Sequence, residues 1–116
     1  MNKNAYLITE NKLLIGENEV LFDYPIRDSL EIGEMLIVRL EKPFKTIYNE
    51  NVFGIQLSEK KIKWQIAKKE YREKDCPFIG ISLFANQVKL FNWCGFYLIV
   101  NPITGEILKE SERSKY

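Results

Sequence analysis

Short apolar runs alternate with polar, glycine- or proline-bearing gaps along most of this chain. The clearest block is Phe78 to Glu110, with runs at Phe78–Phe84, Val88–Asn92, Phe96–Asn101 and Ile107–Glu110. They are divided by Ala85-Asn86-Gln87, Trp93-Cys94-Gly95 and Pro102-Ile103-Thr104-Gly105-Glu106. The runs are rich in β-branched and aromatic residues, and the gaps carry the residues that accept the backbone angles of hairpin turns. None of the gaps can hold a helical crossover, so the pattern predicts antiparallel neighbours in a β-meander.

The N-terminal part reads the same way. Ala5–Thr9, Leu13–Ile15 and Glu19–Tyr24 are separated by Glu10-Asn11-Lys12 and Gly16-Glu17-Asn18, which predicts two hairpins ended by Pro25. Ile26–Ile32 predicts a turn or two of helix before Gly33. Glu34–Leu40, with its unbroken Met35-Leu36-Ile37-Val38, predicts a central strand buried on both faces. Val52–Leu57 and Ile62–Ile66 predict a hairpin across Ser58-Glu59-Lys60-Lys61. The resulting expectation is one all-β domain over residues 1–116, an antiparallel meander of roughly ten short strands that curls or folds into two layers.

Two stretches do not fit the strand rhythm. Glu41–Asn51 is a loop with Pro43 and two exposed-looking aromatics, Phe44 and Tyr48. Residues 67–77, AKKEYREKDCP, are the most charged part of the chain, and Pro77 limits any helix there to about two turns. A mixed-sign run of this kind reads as a solvated connection, with Tyr71 as its one contact-forming aromatic. Loops on a rigid sheet are where binding residues are carried.

At 116 residues, 46% hydrophobic and 28% charged, the composition is that of a soluble globular protein, and no apolar run has the length that crosses a bilayer. The opening Met1-Asn2-Lys3-Asn4 lacks the apolar core of a signal peptide, so the expected location is the cytoplasm. In that compartment Cys76 and Cys94, far apart and without ligand-like spacing, are expected as reduced thiols. There is no histidine. Its absence removes the commonest general base and metal ligand and disfavours zinc or triad chemistry. No phosphate-binding glycine loop, GxSxG elbow or HExxH occurs. The Glu17/Glu19 pair has strand spacing but no supporting groups. The expectation is a non-enzyme with no cofactor and no metal.

Net charge is +1, but residues 1–41 hold four basic and eight acidic residues, a balance of −4, so the remainder carries +5. Such a molecule can offer an acidic face to one partner. Basic residues interleave with aromatics at Lys61–Trp64 and Lys89–Tyr97. That pattern makes a nucleic-acid-binding β-module using Lys61, Lys63, Trp64, Lys89 and Trp93 an alternative, and a small-ligand-binding β protein is another.

A weak internal repeat lays Ile55–Ile62 over Ile99–Ile107 with one turn residue gapped. The second copy resembles the Asp-Pro-x-Thr-Gly-Lys turn of quinoprotein-type β-propeller blades, with Asn101 and Glu106 at the acidic and basic positions. One such chain is too short for a propeller and resembles partial blades. Along nearly the whole chain, Tyr24-Pro25-Ile26, Asn51-Val52-Phe53-Gly54-Ile55, Ile62-Lys63-Trp64-Gln65-Ile66, Pro77-Phe78-Ile79-Gly80-Ile81, Asn92-Trp93-Cys94-Gly95 and Thr104-Gly105-Glu106-Ile107 resemble a widespread family of small bacterial proteins. Its usual forms are YPI, NVFxI, IxWQI, PYVGI, YNWDG and DxxTGKI, so Phe91 and Cys94 depart from its Tyr and Asp.

Members of that group resemble the immunity proteins of contact-dependent growth inhibition and polymorphic toxin systems. The resemblance implies a cytoplasmic, monomeric toxin inhibitor that binds one cognate toxin domain as a heterodimer and touches neither nucleic acid nor membrane. If that toxin is a nuclease, carboxylates entering its cationic cleft would mimic phosphates. The toxin-binding candidates are then Asp28, Glu31 and Glu34, followed by Glu70, Tyr71, Glu73 and Asp75.

Overall fold

A computed structural model describes residues 5–71 and 73–111. The opening Met1-Asn2-Lys3-Asn4 and Arg72, part of the charged run, lie outside the described residues. Within them are eleven antiparallel strands and no helix. They are β1 (Tyr6–Thr9), β2 (Lys12–Ile15), β3 (Asn18–Leu21), β4 (Ile26–Ile32), β5 (Met35–Leu40), β6 (Val52–Gln56), β7 (Lys61–Gln65), β8 (Phe78–Phe84), β9 (Gln87–Asn92), β10 (Tyr97–Val100) and β11 (Ile107–Glu110). They pair strictly in sequence order as three sheets, β1-β2-β3, β4-β5-β6-β7 and β8-β9-β10-β11. No sheet closes into a barrel.

Ile26–Ile32, expected as a short helix, is instead strand β4, paired with β5 from Ile26↔Leu40 to Ile32↔Met35. Seven residues are too few to hold a helix without tertiary support, whereas a strand here covers one edge of β5 and half-buries every second side chain. Among the described residues of 67–77 there is no helix either.

The middle sheet explains the unbroken apolar run in β5, all six residues of which are buried. Leu36, Val38, Leu40, Phe53 and Ile55 face Leu13, Ile15 and Phe22 of the first sheet. On the other face Met35, Ile37, Val52 and Trp64 meet Phe78, Val88, Leu90 and Leu98 of the third. The two-layer packing therefore occurs twice, once on each face of the middle sheet.

The second and third sheets repeat one plan. In each, the first strand carries an extra unpaired residue just after its start (Arg27 in β4, Ile79 in β8), and the last strand does so immediately after its isoleucine (Lys63 after Ile62 in β7, Leu108 after Ile107 in β11). Bulges on edge strands twist the edge and discourage pairing with other chains. The connecting hydrogen bonds match as well: Glu41 N–H to Pro25 O (2.8 Å) against Trp93 N–H to Pro77 O (2.9 Å), and Ile66 N–H to Val52 O (2.9 Å) against Ser111 N–H to Tyr97 O (3.0 Å). Ile55 pairs Ile62 as Val100 pairs Ile107, so the repeat aligns Ile55 with Val100 and needs no gap, one residue off the alignment expected from the sequence. The first sheet is the same unit without its fourth strand: Phe22 N–H bonds to Asn11 O as Leu57 N–H bonds to Glu34 O.

Trp64 locks the second and third sheets together. It is 7% exposed, and its indole N–H donates to Pro102 O at 2.8 Å. A Cβ on Gly54, its cross-strand partner, would sit 2.2 Å from the indole ring; one on Gly105, in the β10–β11 turn, would sit 2.6 Å from it. Gly105 also holds φ at +77°, a conformation that favours glycine. The Phe53-Gly54-Ile55, Ile62-Lys63-Trp64 and Thr104-Gly105 motifs thus describe one indole slot.

Candidate functional site

The connections between the second and third strands of the three units differ sharply. Two residues join β2 to β3 and four join β9 to β10, but eleven, Glu41–Asn51, join β5 to β6. This long loop lies against the other irregular stretch, residues 67–77, and against the β9–β10 turn.

Asparagine side chains fasten these segments. Asn49 accepts the Cys76 N–H and donates to Lys74 O, both at 2.8 Å. Buried Asn51 donates to Leu40 O and Phe78 O and accepts the Phe78 N–H, all at 2.9 Å. Asn92, also buried, donates to Cys76 O and accepts the Cys94 N–H at 2.8 Å. An amide offers donors and an acceptor together, so each can satisfy backbone groups from two segments that no ladder pairs.

Cys76 and Cys94, expected as reduced thiols, form a disulfide with Sγ–Sγ 2.01 Å and Cα–Cα 5.4 Å. The expectation rested on compartment and on spacing along the chain. The fold brings Asn92 and the turn after it against Cys76, which places the two Cα atoms within bonding range. Lys42, with its side chain nearly buried, completes the fastening: Nζ lies 3.0 Å from the Asp75 carboxylate and 3.3 Å from Phe44 O.

On this fixed base sit apolar side chains facing solvent. Phe44 is 88% exposed and Trp93 65%, and with Ile79 and Pro77 they wall a groove of about 310 Å³ rimmed by Glu41 and Asp75. A second groove, about 400 Å³, runs between Ile47–Glu50 and the charged stretch Lys68–Lys74. Exposed aromatics in a surface that is otherwise hydrogen-bonded down are typical of contact patches.

The seven residues expected at a binding surface are spread over both ends of the fold. Asp28 and Asp75 lie at the loop end, but each is engaged with the chain's own cations: Arg39 Nε donates to Asp28 at 2.7 Å, and Lys42 holds Asp75. Arg39 is 6% exposed and donates further to Glu41 and Phe78 O at 3.3 Å, so Asp28 serves a buried guanidinium. Glu31 accepts the Tyr6 hydroxyl at 2.8 Å. Burial and that carboxylate push the Tyr6 phenol up to about 12. Glu34 stands in the β4–β5 turn at the opposite end, about 20 Å from Asp28 at strand rise, beside Gly33, Asn86 and Ile103. Glu70 and Glu73 are exposed, and Tyr71 and Glu73 border the second groove. Tyr71 leans inward, its ring stacked 6.4 Å from Phe96.

Sequence reasoning found the two loops and Phe44 but not their adjacency, and it missed Ile79 as a surface residue. Trp64 and Trp93 entered it together as contacts of the nucleic-acid-binding alternative, but only Trp93 is exposed, while Trp64 is buried between the second and third sheets. The detectable signal was length, since the β5–β6 connection exceeds its counterparts.

Tyr48 packs partly against the first core, its ring 5.0 Å from that of Tyr24. Burial, chiefly, raises its phenol above the ordinary value. Among the described residues no group of three or more Asp, Glu, Cys or His side chains gathers as metal ligands would, and no helix is long and apolar enough to cross a membrane.

Stacked antiparallel meanders with a stapled loop end define an all-β scaffold whose distinctive feature is a patch of exposed aromatic side chains. The chain belongs to the family described as a domain of unknown function (DUF7957), whose model matches residues 3–112. No curated protein and no solved structure matches it.

Proposed function

We propose that this protein is a binding protein of the immunity type, which neutralises a cognate bacterial toxin domain, a nuclease in the most direct version, by covering its active site through the loop end. The observation that carries the reading is the stapled Glu41–Asn51 loop, which presents Phe44 to solvent beside Trp93 and Ile79. An inhibitor gains affinity when its contact residues are ordered before binding, and the asparagine clamps and disulfide provide that order. Aromatic anchors inside a charged rim match the anatomy of stable interfaces. Exposed carboxylates with no cation at bonding distance among the described residues, such as Glu70 and Glu73, supply the acidic component suited to a cationic nuclease cleft. In this reading the protein works beside its toxin and needs no cofactor.

The test is co-expression with the toxin domain encoded beside it. A one-to-one complex and rescued growth are expected, both lost in the Phe44→Ala/Trp93→Ala double variant and kept in Glu34→Lys at the far end. Absence of a complex at micromolar concentration, together with absence of rescue, would sink the reading. Loss on charge reversal at Glu31, with the double variant still active, would move the contact to the β4 face.

A further inference from the structure

We infer that two copies of this chain associate head to tail, the outer face of β1–β3 in one copy covering the outer face of β8–β11 in the other. In-and-out alternation along each strand defines those faces. On the first sheet Leu13, Ile15 and Phe22 point into the core, which leaves Leu7, Leu14 and Leu21 outward, with Leu7 59% and Leu21 61% exposed. On the third sheet the outward side holds Phe84 (50% exposed), Phe91 (39%) and Tyr97, of which Phe91 and Tyr97 are direct cross-strand partners. Lys89 sits among these rings, its Nζ 4.1 Å from the Tyr97 centroid, 5.3 Å from Phe91 and 5.6 Å from Phe84.

The two faces are opposite in charge. Lys89 and Lys109 occupy outward positions in the paired registers of β8–β11, and no carboxylate does. On the outward face of β1–β3 Glu19 is balanced by Lys12 at 3.1 Å, and the acidic balance comes from Glu10 and Glu17 in its turns, against the single Glu106 in the β10–β11 turn of the other sheet. An aliphatic, acidic face is thus available to an aromatic, basic one. Pairing two β8–β11 faces would instead set lysines against lysines, which disfavours like-with-like association. Head-to-tail contact repeats what the fold does internally, where each face of the middle sheet is covered by another sheet of the same plan. A single-stranded nucleic acid would suit Lys89 and the rings but would leave the leucine face uncovered.

The size of the contact sets its strength. Three four-residue strands cover roughly 200 Å² of plane at ordinary strand spacing and rise. That is small beside the ~800 Å² per partner of a stable interface. Association is therefore weak, requires concentrations of about 10–1,000 μM and loosens as salt screens the charges.

Light scattering across that range tests the inference, using Leu21→Glu for one face and Phe91→Asp for the other. Wild type is expected to associate, each variant to stay monomeric, and an equimolar mixture of the two to recover a dimer, since each supplies the face the other lacks. The altered side chains are exposed, so melting temperatures should fall by only a few degrees. Leu7→Lys with Phe84→Asp provides a second pair should either variant unfold. A wild type that stays monomeric to millimolar concentration overturns the inference, as does a mixture that stays monomeric while wild type associates. So does a monomer that retains a labelled single-stranded oligonucleotide and loses it in Phe91→Asp, which would assign the face to nucleic acid. The loop end takes no part in this contact, so the outcome is independent of toxin binding.

Discussion

The sheets β4–β7 and β8–β11 share pairing, bulge positions and connecting hydrogen bonds, yet they differ where the second strand passes to the third. In β8–β11 four residues make that passage, with Trp93 exposed among them. In β4–β7 eleven residues make it, and the surplus carries Phe44 into solvent while Asn49 and Asn51 tie it down. The shared part is held by packing that both copies need. The unshared part has a separate set of fastenings and a separate use, so stability and binding should respond to different residues.

Glycine substitutions probe the shared part most severely. Gly54→Ala should expel Trp64 from its slot at a cost of about 3–5 kcal/mol, comparable to deleting a buried aromatic, read by urea denaturation. The same change at Gly80, where the nearest atom to a new Cβ is 3.6 Å away, should shift stability by less than about 1 kcal/mol. Equal effects would mean that the indole slot is not what ties the two copies together.

Next in size, reduction of the Cys76–Cys94 bridge, which spans 18 residues, should cost about 3 kcal/mol by the loop-entropy argument. In the same experiment toxin binding should weaken, because the Trp93 turn and the 67–77 connection lose their common anchor. Asp28→Asn should cost about 1–3 kcal/mol because it weakens the charge pairing of nearly buried Arg39, while Glu31→Gln at an exposed site should cost under about 1 kcal/mol. Phe44→Ala should leave stability within about 0.5 kcal/mol of wild type, as surface changes do, yet weaken partner binding at least tenfold by about the hot-spot threshold.

The smallest effect is a pH effect. Because the folded state raises the Tyr6 phenol from 10.0 to about 12, the stabilisation from its protonated form is complete below pH 10 and is lost as pH climbs towards 12. A phenolate absorbance titration should show late-titrating tyrosines, Tyr6 and Tyr48 among them, and Glu31→Gln should bring down the midpoint of the Tyr6 component alone.

Much of the fold was legible because strand alternation and hairpin turns are local. The meander from Phe78 to Glu110, the N-terminal hairpins and the buried β5 all follow from side-chain period and turn chemistry. Ile26–Ile32 was misread because a seven-residue segment has no decisive period of its own, and only the open edge of β5 made it a strand. The candidate site was legible as two loops and one exposed phenylalanine.

The sequence by itself determined an antiparallel meander with a doubly buried central strand, because those features depend on residues near each other in the chain. Tertiary structure decided the rest. Stacking brought Gly105 to Trp64, Asn49 to Lys74, and Cys76 to Cys94, while strand β4 in place of a helix set Asp28 opposite Arg39 in the β4–β5 register. The stacked pairings join residues 18 to 41 positions apart, whose meeting is set by how the sheets pack, and no local pattern encodes that distance.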